Sequence, residues 1–188
     1  MRLLFLIIAL CAPLSAQLHF GLKGGVPLTD VTETVGNATV LKNLPSRWTL
    51  GPMIDLDLPA GLGIEFNMLY RRVGYEAPVR TSGLSSPANQ TKEHTGGLWD
   101  FPLIAKYHFS GVLARPYVGA GYVYRHLNDL LSATSGSKGF VLSSGIRIGA
   151  PLMRIAPEIR YTRWDGPDIQ PGFRTKKNQF EVLVGLSF

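Results

Sequence analysis

Phe180-Glu181-Val182-Leu183-Val184-Gly185-Leu186-Ser187-Phe188, the last nine residues of the 188-residue chain, decide the reading of the fold. Phe180, Val182, Val184, Leu186 and Phe188 share one parity, and Glu181, Gly185 and Ser187 share the other with Gln179. Strand side chains alternate faces with period two, so the segment reads as a strand with one wholly apolar face. Water offers that face no partner at the tip of a terminal strand. Lipid does, because the apolar face of a membrane strand meets acyl chains.

Seven further segments alternate in the same way. They are Leu18 to Leu28, Arg47 to Leu58, Leu62 to Tyr75, Leu98 to Phe109, Arg115 to Arg125, Gly139 to Ala150 and Arg154 to Trp164. In the fourth, Trp99, Phe101, Leu103, Ala105, Tyr107 and Phe109 oppose Asp100, Lys106 and His108. In the seventh, Ile155, Ile159 and Tyr161 oppose Glu158, Arg160 and Thr162. Each is about ten residues, the length a tilted strand needs to cross a bilayer. Pro52, Pro102 and Pro157 fall inside these segments. Proline cannot donate to a ladder and a closed barrel has no edge to hide it on, so bulges are expected near all three.

The connections give the segments an orientation. Pro59-Ala60-Gly61, Ser110 to Ala114 and Pro151 to Met153 are short; Thr29 to Ser46, Ala77 to Gly97, His126 to Lys138 and Asp165 to Asn178 are long and polar. Short and long alternate throughout, as tight periplasmic turns and long extracellular loops do in outer-membrane barrels. The expected fold is all-β, an eight-stranded antiparallel up-and-down transmembrane β-barrel. Its closing strand is expected to pair with Leu18 to Leu28.

Composition agrees. Arg2, the apolar run Leu3 to Ala12 and the small residues of Leu14-Ser15-Ala16 read as a signal peptide over residues 1–16, leaving 17–188 as one barrel domain. Cys11, the only cysteine, leaves with the leader, and Leu10 before it is too large for a lipoprotein site. A chain without thiols suits an oxidising compartment. The formal charge of +6, reduced to +5 without Arg2, comes with no dense basic run, which disfavours nucleic acid as a partner.

The minority parity carries Lys23, Asp55, Asp57, Glu65, Arg71, Lys106, Arg125, Arg147, Glu158, Arg160 and Glu181, six cations and five anions. The interior of an eight-stranded barrel is just filled by side chains, so charges placed there must pair. Asp100 with Lys106 and Glu158 with Arg160 are the expected pairs. A lumen filled in this way is not a diffusion pore. Two aromatic bands are expected at the membrane interfaces: Trp48, Tyr70, Trp99, Tyr124 and Tyr161 towards the loops, and Phe20, Tyr107, Phe109 and Phe188 towards the turns.

Trp99-Asp100-Phe101-Pro102-Leu103-Ile104-Ala105-Lys106-Tyr107 resembles the strand pattern hydrophobic-acidic-hydrophobic-Pro-Leu-x-x-Lys-Tyr of the bacterial outer-membrane β-barrel domain family, of OmpA/OmpX-like shape. Arg115-Pro116-Tyr117-Val118-Gly119-Ala120-Gly121 is similar to that family's next strand, and Pro157-Glu158-Ile159-Arg160-Tyr161-Thr162 to its penultimate one. The terminal Phe188 resembles the signature read by the outer-membrane assembly machinery. The resemblance spans essentially residues 17–188 and implies location and architecture rather than one activity. It implies Pro102 in its strand. No peptidoglycan-binding domain is expected after Phe188.

His108-Phe109-Ser110 matches the His-x-Ser spacing of outer-membrane lipid A deacylases, in which the imidazole would activate the hydroxyl. The triplet falls at the turn end, away from the outer-leaflet acyl chains, so no catalytic residue is assigned. His94 and His126 lie in separate loops without acidic or thiol partners at ligand spacing, so no metal site and no cofactor are assigned. Asn37-Ala38-Thr39 and Asn89-Gln90-Thr91 match glycosylation sequons, meaningful only in a eukaryotic secretory route. The expected role is a monomeric outer-membrane protein with structural or surface-interaction work. Its partners would be outer-membrane lipid and lipopolysaccharide, the assembly machinery and an extracellular ligand of the loops. The alternatives are a soluble secreted calycin-like binding barrel and a lipid A-modifying enzyme.

Overall fold

In a computed structural model the described residues are 17–29, 32–34, 43–78, 91–128, 137–150, 152–165, 173–175 and 177–188. Residues 1–16, read above as a signal peptide, and Pro151, Asn37 and Asn89 lie outside them. Eight strands form the barrel: β1 Gln17–Pro27, β2 Asn43–Asp57, β3 in two stretches Leu62–Asn67 and Leu69–Pro78, β4 Thr91–His108, β5 Ala114–Asn128, β6 Ser137–Gly149, β7 Arg154–Asp165 and β8 Asn178–Ser187. Each pairs antiparallel with its sequence neighbours. The sheet closes through β8 and β1, where Leu22 faces Leu186 and Val26 faces Val182. Phe188 N–H donates to the Phe20 carbonyl at 3.0 Å and Phe20 N–H donates back at 3.3 Å. The terminal strand is thus the closing strand, as its sequence suggests.

The burial of the strands is inverted relative to a soluble domain. Leu18, Phe20, Leu22, Ile54, Ile64, Phe66, Leu103, Val118, Leu142, Ile146, Val184 and Leu186 are exposed on the outer wall. Lys23, Glu65, Arg125, Glu158 and Arg160 are each at most 2 % exposed, inside it. The parity read from the sequence therefore has apolar side chains out and charged ones in.

The strands outrun their hydropathy. β4 starts at Thr91 rather than Leu98, because Thr91 to Gly97 pairs residue by residue with Arg72 to Pro78. That stretch has no apolar face, so alternation could not reveal it. Two further three-residue strands, Thr32–Thr34 and Phe173–Thr175, pair with each other between the first and last long connections.

The bulges expected at the prolines are not there. The register between β4 and β5 runs unbroken through Pro102, opposite Val123. Pro157 keeps its place opposite Val184, and on its other side pairing lapses for two positions without changing register. At Pro52 the effect appears in the neighbour: Met68 separates the two stretches of β3, and its N–H donates to the Pro52 carbonyl at 3.0 Å. A proline removes one ladder bond, and long flanking ladders hold the register across so small a gap. The shift that does occur lies in β2, between Pro45 and Thr49.

The short turns are tight. Pro59–Gly61 forms a single 3₁₀ turn in which Ala60 (φ 62°) and Gly61 (φ 78°) both take left-handed backbone. Glycine accepts that conformation freely; alanine at 60 is held in it by the closing hairpin.

Candidate functional site

The polar side chains of the lumen form three clusters. In the middle, Lys23 of β1, Glu65 of β3, Lys106 of β4 and Glu158 and Arg160 of β7 meet. Lys23 Nζ lies 2.9 Å from Glu158 Oε2 and also pairs with Glu65. Arg160 Nη2 lies 2.7 Å from Glu158 Oε1 and 3.4 Å from Glu65 Oε1. Lys106 pairs with Glu65 and stands 3.5 Å from Glu158. Tyr117 Oη donates to Glu158 Oε2 at 2.8 Å, and Asn67 Nδ2 donates to Glu65 Oε1 at 2.8 Å. Both carboxylates therefore collect several donors each. Such multidentate pairing offsets the several kcal/mol that burying each ion costs.

Gly145 makes room for this cluster. A Cβ there would sit 2.6 Å from Tyr117 Oη, blocking the phenol's reach to Glu158.

Towards the loops, Arg125 of β5 forks onto Asp100 of β4, with Nε at 2.7 Å and Nη2 at 2.8 Å. Its guanidinium lies 3.7 Å over the Trp164 ring, a cation–π contact from which water is excluded. Arg71 pairs with Glu181 and approaches Asp100 at 4.0 Å. Towards the turns, Arg147 of β6 places Nη1 at 2.7 and 2.9 Å from the two oxygens of Asp57 and turns Nη2 to Asp55. Arg154 Nη1 adds a bond to Asp57 at 2.9 Å.

All eleven charges assigned to the minority parity lie in this interior, ten of them buried and Asp57 half-buried. One of the two expected pairings stands: Arg160 and Glu158, two apart on one strand face, do meet. The other is corrected. Asp100 pairs with Arg125 and Lys106 with Glu65, because positions six apart on one strand are separated by about 20 Å of strand.

What sequence reasoning missed is the apolar part of the lumen. Ile104, Val123, Val141 and Trp164 form a buried cluster, and Leu69, Leu98 and Leu183 are buried too. In β4 and β5, Ile104 and Val123 lie between the middle and loop-end charges, so the clusters are divided by packed side chains. The signal was weak because Val182-Leu183-Val184 and similar runs are apolar on both parities.

Several of the aromatics expected in two bands are in ring contact. Tyr70 contacts Trp48 and Trp99 on the loop side, with ring centroids 6.2 and 4.9 Å apart, whereas Tyr161, 5.0 Å from the Phe180 ring, stands opposite Leu142 midway along β6. On the turn side Tyr107 and Phe109 meet edge to face at 5.1 Å.

His108 and Ser110 are not hydrogen-bonded to each other. The His108 ring is buried against Tyr117, centroids 5.4 Å apart, whereas Ser110 is exposed beyond the end of β4. Among the described residues no group of three or more His, Cys, Asp or Glu could hold a metal ion.

This closed eight-stranded antiparallel barrel, charged within and apolar without, has the architecture of the small outer-membrane barrels. Among solved structures it is similar to Neisserial surface protein A, at 15% identity and a TM-score of 0.55, over 92% of this chain and 97% of that one. It is similar also to the N-terminal β-barrel domain of Pseudomonas aeruginosa OprF, at 14% identity and a TM-score of 0.54, over 93% and 97%. Comparison with protein-family models and with curated proteins found no match.

Proposed function

We propose that this chain is an integral protein of the bacterial outer membrane with a sealed lumen, acting through its loops as a structural or surface-interaction protein rather than as an enzyme. The observation that carries this reading is the inverted burial: the outer wall exposes rows of large apolar side chains while ion pairs fill the interior. In water such a wall would aggregate; in a bilayer it is solvated. Export by the leader in residues 1–16 and assembly through the β8 strand ending at Phe188 belong to the same reading. Lipid and lipopolysaccharide would surround the aromatic bands, and an extracellular partner would meet the loops.

Extraction from membranes is the direct test. The protein should require detergent and should migrate faster on gels unboiled than boiled, as closed barrels do. Clean recovery in aqueous buffer would favour the soluble calycin-like alternative. The non-enzymatic reading predicts that Ser110→Ala leaves the acylation pattern of lipid A unchanged; a deacylation activity lost in that variant would overturn it.

A further inference from the structure

The turn end of the barrel opens into a cavity of about 640 Å³, within the size range of small-molecule sites. Three arginines line it, Arg115, Arg147 and Arg154, against a single carboxylate, Asp57. Asp57 is already engaged by both Arg147 and Arg154. Arg115 is exposed and uses only its Nε, donating to the Gly111 carbonyl at 3.0 Å, so its terminal N–H groups have no acceptor among the described residues. His108, also in the lining, is 8% exposed, and its Nε2 is buried without a hydrogen-bond partner. The lining thus carries excess positive charge and, at Arg115, unused donors. Beside Gln17, its remaining wall is mainly apolar, with Leu58, Leu62, Val112 and Leu113, the last two among the most exposed apolar side chains described.

We propose that this vestibule is a binding site for a small carboxylate that carries an apolar group. A guanidinium matches a carboxylate in a two-point fork, which a free Arg115 terminus offers and a point charge would not. The leucine and valine wall accommodates the apolar body. The same chemistry is presented by a free organic acid and by the C-terminal residue of a peptide. Either would enter from the side on which the short turns lie.

The full-length barrel, folded in detergent micelles, is titrated with N-acetyl-leucine, its uncharged amide, acetate and a short peptide ending in leucine, with binding followed by amide chemical shifts of the turn residues. N-acetyl-leucine should bind saturably, and the amide and acetate at least about tenfold more weakly. Arg115→Ala, or Arg115→Gln if the alanine variant does not give the heat-modifiable folded form, should weaken the acid by about tenfold or more. Tighter binding of the peptide than of the free acid assigns the site to chain ends, and the reverse assigns it to metabolite acids. Equal binding of acid and amide, or unchanged binding in a folded Arg115 variant, overturns the proposal. Because fold is read separately by heat modifiability, failure here leaves the membrane reading intact, and failure of that reading is visible before any titration.

Discussion

Glu158 is the residue on which the middle of the lumen depends. It accepts from Lys23, Arg160 and Tyr117 within 3 Å, and it is 2% exposed. Glu158→Leu would keep the volume and leave Lys23, Lys106 and Arg160 to share Glu65 alone, an excess of buried positive charge, so the folded barrel should lose about 3–5 kcal/mol. The check is the urea midpoint of unfolding from liposomes, followed by tryptophan fluorescence; a midpoint within error of the parent would refute a structural role for the pair. Adding Lys23→Met to that variant should recover part of the loss, since it removes one of the surplus cations crowded around Glu65. At this scale the sequence was legible in one respect and blind in another. Period-two counting placed the eleven charges assigned to the minority parity, because a side chain's face depends only on its own position; Arg154, bonded to Asp57, was not among them. Partnership depends on register between strands, whether neighbours, as with Arg125 opposite Asp100, or distant in the chain, as with Lys23 reaching Glu158, 135 positions away. Alternation within one strand carries no information about that.

At the level of elements, β2 and β3 show how the barrel absorbs its prolines. Pro52 offers no N–H to the Met68 carbonyl, and β3 breaks there instead of bulging. Gly51 completes the accommodation: a Cβ at that position would overlap the Met68 carbonyl oxygen, which is backbone and cannot swing away. Gly51→Ala should therefore destabilise the barrel by about 1–3 kcal/mol. Gly149→Ala is the control, because a Cβ there meets nothing within 4 Å. Equal unfolding midpoints for the two variants would show that the notch is not needed. Strand existence and order were readable from alternation, and turn lengths from Pro and Gly. The extra length of β4 and the pairing of Thr32–Thr34 with Phe173–Thr175 were not, since polar strands held by backbone bonds leave no hydropathic trace.

For the molecule as a whole, two properties follow from the inversion of burial. A lumen divided by the Ile104, Val123, Val141 and Trp164 cluster and crossed by paired charges should pass no large steady current. Planar-bilayer recordings check this, and a large sustained conductance would contradict the filled interior. The second property concerns the outer wall and tells lipid from water as its solvent. Leu142 is 43% exposed midway along β6, opposite Ala120 and Tyr161, while Ile148 is equally exposed near the turn end. In a bilayer Leu142→Arg should cost about 2–4 kcal/mol and Ile148→Arg about 0–1, because the penalty follows depth in the hydrocarbon. A soluble barrel would give both substitutions the same small effect, since each would merely place a cation in water. Unfolding midpoints of the two variants in liposomes, compared with the parent, therefore test the membrane reading at the wall itself, and a depth-independent result would remove its physical basis.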